Sequence, residues 1–417
     1  MKINLDEIID PLEGRVVVSK DRQGQSQARF DLQGLPRVDA MLVGKSALEA
    51  LKMTEHLCGI CPVAHHLAGM RALDVLSQSE PLSKAAELTR RLLHYGSIVQ
   101  THSLRFLMQD RDAGIAIRLV AKKMLVAAGS PGHFPVSALP GGVRALPELK
   151  ALKNLDEDLP DAIEAAEELC DLAFRLSKES RLADAFSGSE VALINEDANP
   201  DVFGTRVRVV LEQKIIDEFS FSKWNERIRE ENPHTPAPRP YLRALGVNEG
   251  RYRVGPVSQL SIGTLPSPKA AAAQERWLAE SRNAQPARAI ITLHLLERTT
   301  ELVKQLSRLV GQVNSEEHTA GRPVKFSSGQ ASGVVDGPRG ILAHTYATDT
   351  EGMITQATIL TPTAQNEPWL AQLLTQAIAL DGAQTQGALE ESIREADPCL
   401  PLSSAPCGQM GLKVDNV

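Results

Sequence analysis

Cysteines stand near both ends of this chain and hardly anywhere between, and that spacing constrains the fold more than any other feature. Cys58 and Cys61 form a C-x-x-C pair, Cys399 and Cys407 lie almost at the far end of the 417 residues, and Cys170 stands alone. If sulfur from both ends serves one site, the fold must return its C-terminus to its first helices. The count is odd and low for the length, so a disulfide framework does not follow. The distribution suits metal or redox chemistry. Cys170 falls within EAAEELCDLAFRL, an amphipathic helical run, and reads as a small buried hydrophobe.

The densest chemistry is the stretch Glu55-His56-Leu57-Cys58-Gly59-Ile60-Cys61-Pro62-Val63-Ala64-His65-His66. Two thiols three residues apart, on a turn leading into a helix, reach one metal cluster. Unpaired N–H groups at the helix start favour thiolate over thiol. His65, four residues past Cys61, shares its helix face and is placed to hydrogen-bond a bridging sulfur or a metal-bound ligand. Zinc needs two more ligands, for which Cys399 and Cys407 are available, but C-x7-C is poor spacing for a zinc knuckle. Thioredoxin-type redox chemistry calls for a preceding strand, and here the preceding pattern is helical.

The rest of the chain reads as mainly α with small peripheral β elements. Arg15–Ser19 and Ala28–Leu32 are extended candidates around a turn. Ser46 is placed to cap ALEALKMTEHL, and Pro62 suits a first helical turn, where its missing N–H costs nothing. Leu82–Gln109 and Leu155–Lys178 are periodic helices, Gly129–Gly142 is loop, and Ala270–Val313 is one long pattern interrupted only at Pro286. Four prolines within 230–240 predict a boundary segment. Thr345–Leu360 predicts a hairpin and Glu367–Leu380 a helix. A net charge of −7 and a pI near 5.9 give no drive toward nucleic acid or anionic membrane. No run approaches the roughly 18–20 apolar residues of a membrane span. The acidic opening MKINLDEIIDPLEG lacks the basic and apolar regions of a secretory signal, so the chain reads as cytoplasmic.

EHLCGICPVAHHLAG closely resembles the first cysteine motif of nickel–iron hydrogenase large subunits, and Asp397-Pro398-Cys399-Leu400 resembles the start of their second motif, D-P-C-x-x-C-x-x-H. The likeness runs along nearly the whole chain. Asp10-Pro11-Leu12-Glu13-Gly14 looks like a shortened glutamate–glycine motif. Gln100-Thr101-His102, His133 to Pro135, Pro140-Gly141-Gly142-Val143, Tyr252-Arg253-Val254-Gly255-Pro256, Asp336-Gly337-Pro338-Arg339-Gly340 with Leu342 and His344, and Thr361-Pro362-Thr363 with Asn366 follow in family order. The cytoplasmic, cofactor-coupled branch looks closest. The resemblance implies one large-subunit-like domain over 1–417, built round a long-helix bundle. Its parts would be an N-terminal β/loop region 1–40, a helical core 45–380 and a C-terminal motif 395–417.

It also implies a site. The family's nickel is held by four cysteinates, two of which bridge to an iron carrying cyanide and carbonyl. Cys58 and Cys399 would be terminal ligands and Cys61 a bridge. Arg339 would lie over the open position, and Pro338, His65 and Thr363 would line the cofactor. Glu13 would take a proton from the Cys399 sulfur. Soft thiolates suit these metals, a fixed cation suits the reacting hydrogen, and a carboxylate suits the first proton stop. An iron–sulfur small subunit is implied, because five cysteines cannot also ligate an electron relay. Further flavin or iron–sulfur subunits, or hydrogenase assembly proteins, are the other partners implied.

The second motif departs from the pattern. Aligned without gaps from Asp397, Leu402 stands at the second bridging cysteine and Ala405 at the terminal histidine, which in the family also supports a magnesium site. Leucine donates nothing to a metal. Two outcomes stay open: an H2-splitting or H2-forming enzyme, or a non-catalytic homologue. The latter would be a scaffold for iron-dicyano-carbonyl assembly, holding iron alone, or a structural subunit that has lost its metal. Maturation in the family removes the residues beyond the histidine. With that position altered, Gly408–Val417 is expected to stay attached.

Overall fold

The computed structural model describes residues 13–32, 38–78, 81–180, 182, 184, 186–280, 282–312, 325–380 and 383–417. Strands β1 (Glu13–Lys20) and β2 (Ser26–Phe30) form the expected hairpin. Its turn is held by Asp21, whose carboxylate accepts from the Gln23 and Gln25 N–H groups. Helix α1 (Ala47–Glu55) starts at Ser46, whose hydroxyl accepts from the Glu49 N–H. Helix α2 (Pro62–Leu76) has its proline in the first turn. Helices α3 (Lys84–Phe106), α4 (Arg111–Ala127) and α5 (Leu149–Ser177) follow. The Asp110 carboxylate caps α4 through the N–H groups of Asp112 and Ala113.

Strands β3 (Ser189–Ile194), β4 (Arg206–Leu211) and β5 (Lys214–Ser220) come next, then β6 (Ile228–Glu230), β7 (Pro240–Leu242) and β8 (Tyr252–Arg253). They build a sheet ordered β8-β3-β4-β5 and a separate β6–β7 pair. The proline-rich stretch 230–240 links two paired strands. The long pattern after Ala270 divides into α6 (Pro268–Ala279) and α7 (Ala284–Val310). The break falls ahead of Pro286, which sits in the first turn of α7 where proline is tolerated.

Strands β9 (Gly329–Gly337), β10 (Gly340–Thr348) and β11 (Ile354–Leu360) form an antiparallel meander. Helices α8 (Glu367–Ile378) and α9 (Ala383–Ala396) and strand β12 (Gly411–Asn416) complete the chain.

Helices α3, α4, α5 and α7 pack on one another through a core of Leu, Ile and Ala side chains, the expected bundle. The small sheets flank it, with one exception. The β9–β10–β11 sheet is buried against α2, so closely at Gly333 that an added Cβ would lie 2.0 Å from the Ala68 carbonyl oxygen.

Strand β12 joins the two ends of the chain. It runs parallel to β1, in register from Glu13 opposite Gly411 to Val18 opposite Asn416. Residues Gly411–Asn416 are thus an edge strand of the first sheet, and the C-terminus returns to the start of the fold.

Candidate metal centre

The turn between α1 and α2 presents Cys58 and Cys61. Cys61 stands at the N-cap position of α2, and the Ile60 N–H points to the Cys58 sulfur at 3.4 Å. The helix start thus places positive backbone charge beside both sulfurs. Cys399 arrives from the other end. Its Sγ lies 2.9 Å from that of Cys58 and 3.5 Å from that of Cys61, and the Cys58 and Cys61 sulfurs are 3.0 Å apart. Among the described residues this trio is the one group of three or more Cys, His, Asp or Glu side chains close enough to share a metal ion. In the metal-free trio, hydrogen bonds from Cys399 and Cys61 hold the Cys58 thiol far below its ordinary range, the bonds with Cys399 and then Cys58 push Cys61 up, and the bond with Cys58 pushes Cys399 up.

Cys399 is fixed by its backbone: the Thr363 hydroxyl oxygen accepts from the Cys399 N–H at 2.8 Å. Two residues earlier, Asp397 is fully enclosed by cations. It accepts from Arg339 Nε at 3.0 Å, from Arg105 Nε at 3.1 Å and from the Ser403 hydroxyl at 3.1 Å, with Arg288 at 3.8 Å. Burial alone would raise the Asp397 pKa, but Arg105, Arg339 and Arg288 hold it well below the carboxylate range. Sequence reasoning assigned Asp397 no role. Its place in the D-P-C motif was the only local sign, because its partners come from three distant helices and loops.

Arg339 occupies the tip of the two-residue turn between β9 and β10, with Gly337 opposite Gly340. The turn is held from three sides. His102 Nε2 donates to the Pro338 carbonyl at 2.8 Å. Asn366 bridges the Val254 and Arg339 backbones. Gly255, at φ +106°, lets its backbone approach so closely that a Cβ would meet the Arg339 carbonyl oxygen at 2.7 Å. Four of the separate sequence blocks therefore meet at one hairpin. Arg339 is buried beside the thiols, and its Nη1 has no hydrogen-bond partner among the described residues.

The remaining expectations divide. His65 is buried, but its Nδ1 bonds to His344 Nε2 at 3.1 Å, and His344 Nδ1 to the Tyr346 hydroxyl at 2.7 Å. The ring is thus anchored to β10, an arrangement the C-x-x-C motif alone did not reveal. Pro338 contributes its carbonyl to His102, and the observed bond of Thr363 is to Cys399. Glu13 begins β1 opposite Gly411, while its side chain and residues Asp10 to Leu12 lie outside the described residues. Cys170 is buried and Cys407 exposed, and neither belongs to the trio.

Leu402 is 2% exposed and packs into the first sheet: its Cδ1 would lie 3.0 Å from a Cβ on Gly14, beside the Phe30 ring. Ala405 is buried, and its carbonyl accepts from Arg394. The positions that resemblance gives to a bridging thiolate and a histidine have become core and turn. The three thiols are close enough to share a metal ion, and a four-thiolate metal pair lacks its fourth donor among them.

A family profile described as nickel-dependent hydrogenase matches residues 37–109. The chain is 27% identical to the NAD-reducing hydrogenase HoxS subunit beta of Cupriavidus necator, over 98% of this chain and 96% of that one. It is 26% identical to a subunit of the F420-non-reducing hydrogenase vhu of Methanococcus voltae, over 87% and 94%. Among solved structures, an NAD+-reducing [NiFe]-hydrogenase in the H2-reduced state superposes with a TM-score of 0.80 at 27% identity, covering 93% of this chain and 95% of that one. The Ni-Fe-Se hydrogenase of D. vulgaris Hildenborough shares the fold, with a TM-score of 0.66 at 18% identity over 92% and 95%.

Proposed function

Since the chain belongs to the nickel–iron hydrogenase large-subunit family, we propose that it serves as the metal-bearing large subunit of a cytoplasmic hydrogenase complex, with H2 oxidation and proton reduction weakened by the loss of one thiolate. The observation that carries this reading is the convergence of Cys58, Cys61 and Cys399 to within 3.5 Å from opposite ends of the chain. A nickel–iron centre with cyanide and carbonyl ligands is what the family uses for H2 chemistry; here three thiolates are available to it.

The chain's own residues have separable roles in this proposal. Cys58, Cys61 and Cys399 bind. Asp397 orients Arg339, which places a fixed cation beside the sulfurs in a water-poor site, where charge acts more strongly than in solvent. Pro338 holds that turn through His102, and Thr363 holds Cys399. His65, tied to His344, packs behind the α2 cysteine. Glu13 is the proposed proton acceptor for the Cys399 sulfur. Magnesium support through residue 405 is absent, because alanine has no donor. An iron–sulfur small subunit is the proposed partner, since the two cysteines outside the trio are a buried one and an exposed one. No helix is long and apolar enough to cross a membrane among the described residues.

The burial of Leu402 in the first sheet favours a second reading, an iron-dicyano-carbonyl scaffold or a structural subunit without turnover. The two readings part on one experiment with the purified complex: infrared spectra combined with H2-dependent dye reduction. Cyanide and carbonyl bands with slow dye reduction support the proposal. Bands without any dye reduction support the scaffold. Absence of bands together with failure to copurify an iron–sulfur subunit overturns the proposal.

A further inference from the structure

We infer that the Cys58–Cys61–Cys399 trio takes a single divalent transition-metal ion with an open fourth position, rather than a pair of metals. This rests on the metal-bearing part of the reading above and is independent of H2 turnover.

Sulfur separations of 2.9, 3.0 and 3.5 Å set the geometry. An ion about 2.3 Å from each sulfur, the usual zinc–thiolate length, sits about 1.4 Å above their plane and reaches all three together. By the resemblance a second ion would be bridged to the first by two thiolates, and the second of those positions holds no donor. Leu402 packs on Gly14 and Phe30, the Thr363 hydroxyl is engaged by the Cys399 N–H, and His65 is bonded to His344. No further Cys, His, Asp or Glu joins the trio among the described residues.

Charge points the same way. Metal-bound, the trio carries three negative charges, as thiolate ligands must. Arg339, Arg105 and Arg288 share the single carboxylate of Asp397, so with one dication the buried site is already short of negative charge. A second dication would add two further buried positive charges without protein counter-ions, which is strongly unfavourable.

The test loads the anaerobically reduced full chain with Fe(II), Ni(II) or Zn(II) separately. Bound metal per chain is counted after gel filtration, and the sulfur shell is read by X-ray absorption. The expected result is saturation at one equivalent with three sulfur neighbours and no metal–metal vector. Cys399→Ser should cut bound metal at least tenfold, whereas Cys407→Ser should leave it unchanged. Two equivalents with a short metal–metal vector would overturn the inference and leave the metal-bearing reading standing. No uptake of any of the three metals by chain with native circular dichroism would overturn both.

Discussion

The Cys58–Cys61 turn and the Cys399–Ala405 segment face each other across one site, yet they differ in what their side chains now do. On the turn, both thiols face the trio, and Leu57 between the helices is exposed. On the segment, one thiol remains, held by Thr363 and preceded by the enclosed Asp397, while Leu402 and Ala405 have been absorbed into the core. Where the resemblance places metal donors, the first half of the two-ended site keeps its thiols while the second half packs carbon at 402 and 405. Asp397, held by Arg339, Arg105 and Arg288, ties the backbone of the second half down.

Substitutions can break or sharpen that contrast. Asp397→Ala should have the largest effect. It leaves Arg339 and Arg105 buried without their counter-charge, with an expected loss of about 3–5 kcal/mol in denaturant unfolding. An unfolding midpoint unmoved by this change would show that the segment is not anchored through Asp397. Next, Leu402→Ala should cost about 2–5 kcal/mol as a core truncation, whereas Leu57→Ala on the opposite turn should stay within about 0.5 kcal/mol. Equal effects would erase the contrast. Thr363→Val strands the Cys399 N–H and should cost about 1–3 kcal/mol, with weaker metal retention as its specific sign.

A separate effect is expected in pH dependence. Burial holds His94, His102 and His294 down to about 4, below their ordinary 6.5. The unfolded chain therefore binds more protons between those values. Their contribution to stability is complete above about 6.5 and is lost as pH falls through that window. Asp336 opposes them: burial raises it to about 7, so it adds stability as pH falls toward 4. Urea midpoints should drop from pH 6.5 to 5, and Asp336→Asn should steepen the drop. A shallower drop in that variant would contradict the assignment.

Much of this was legible in the sequence because it is local. The Ser46 cap, Pro62 at the helix start, the long amphipathic helices and the β10–β11 hairpin each rest on residues a few positions apart. The spacing of the cysteines, with the flanking motifs, pointed to the trio. What stayed hidden is long-range. The β3–β4–β5 strands of the middle sheet lie in a stretch that family motifs did not mark, and β9 was read only as the arginine motif it ends in. The enclosure of Asp397 depends on arginines from α3, α7 and the β9–β10 turn. The pairing of β12 with β1 joins residues at opposite ends of the chain, which no local pattern specifies. That pairing gives residues 411–416 a structural role. Intact mass should include residues 408–417, and a mass ending near residue 405 would contradict it.

The central claim is that sulfur from the two chain ends meets in one pocket. It is tested most directly in metal-free Cys61→Ala/Cys407→Ala protein, in which Cys58 and Cys399 are the free thiols outside the buried Cys170. Treatment with diamide followed by tryptic mass mapping should yield one cross-linked species joining peptides 53–71 and 395–413. Both cysteines remaining separately alkylatable, in protein with native circular dichroism, would contradict it.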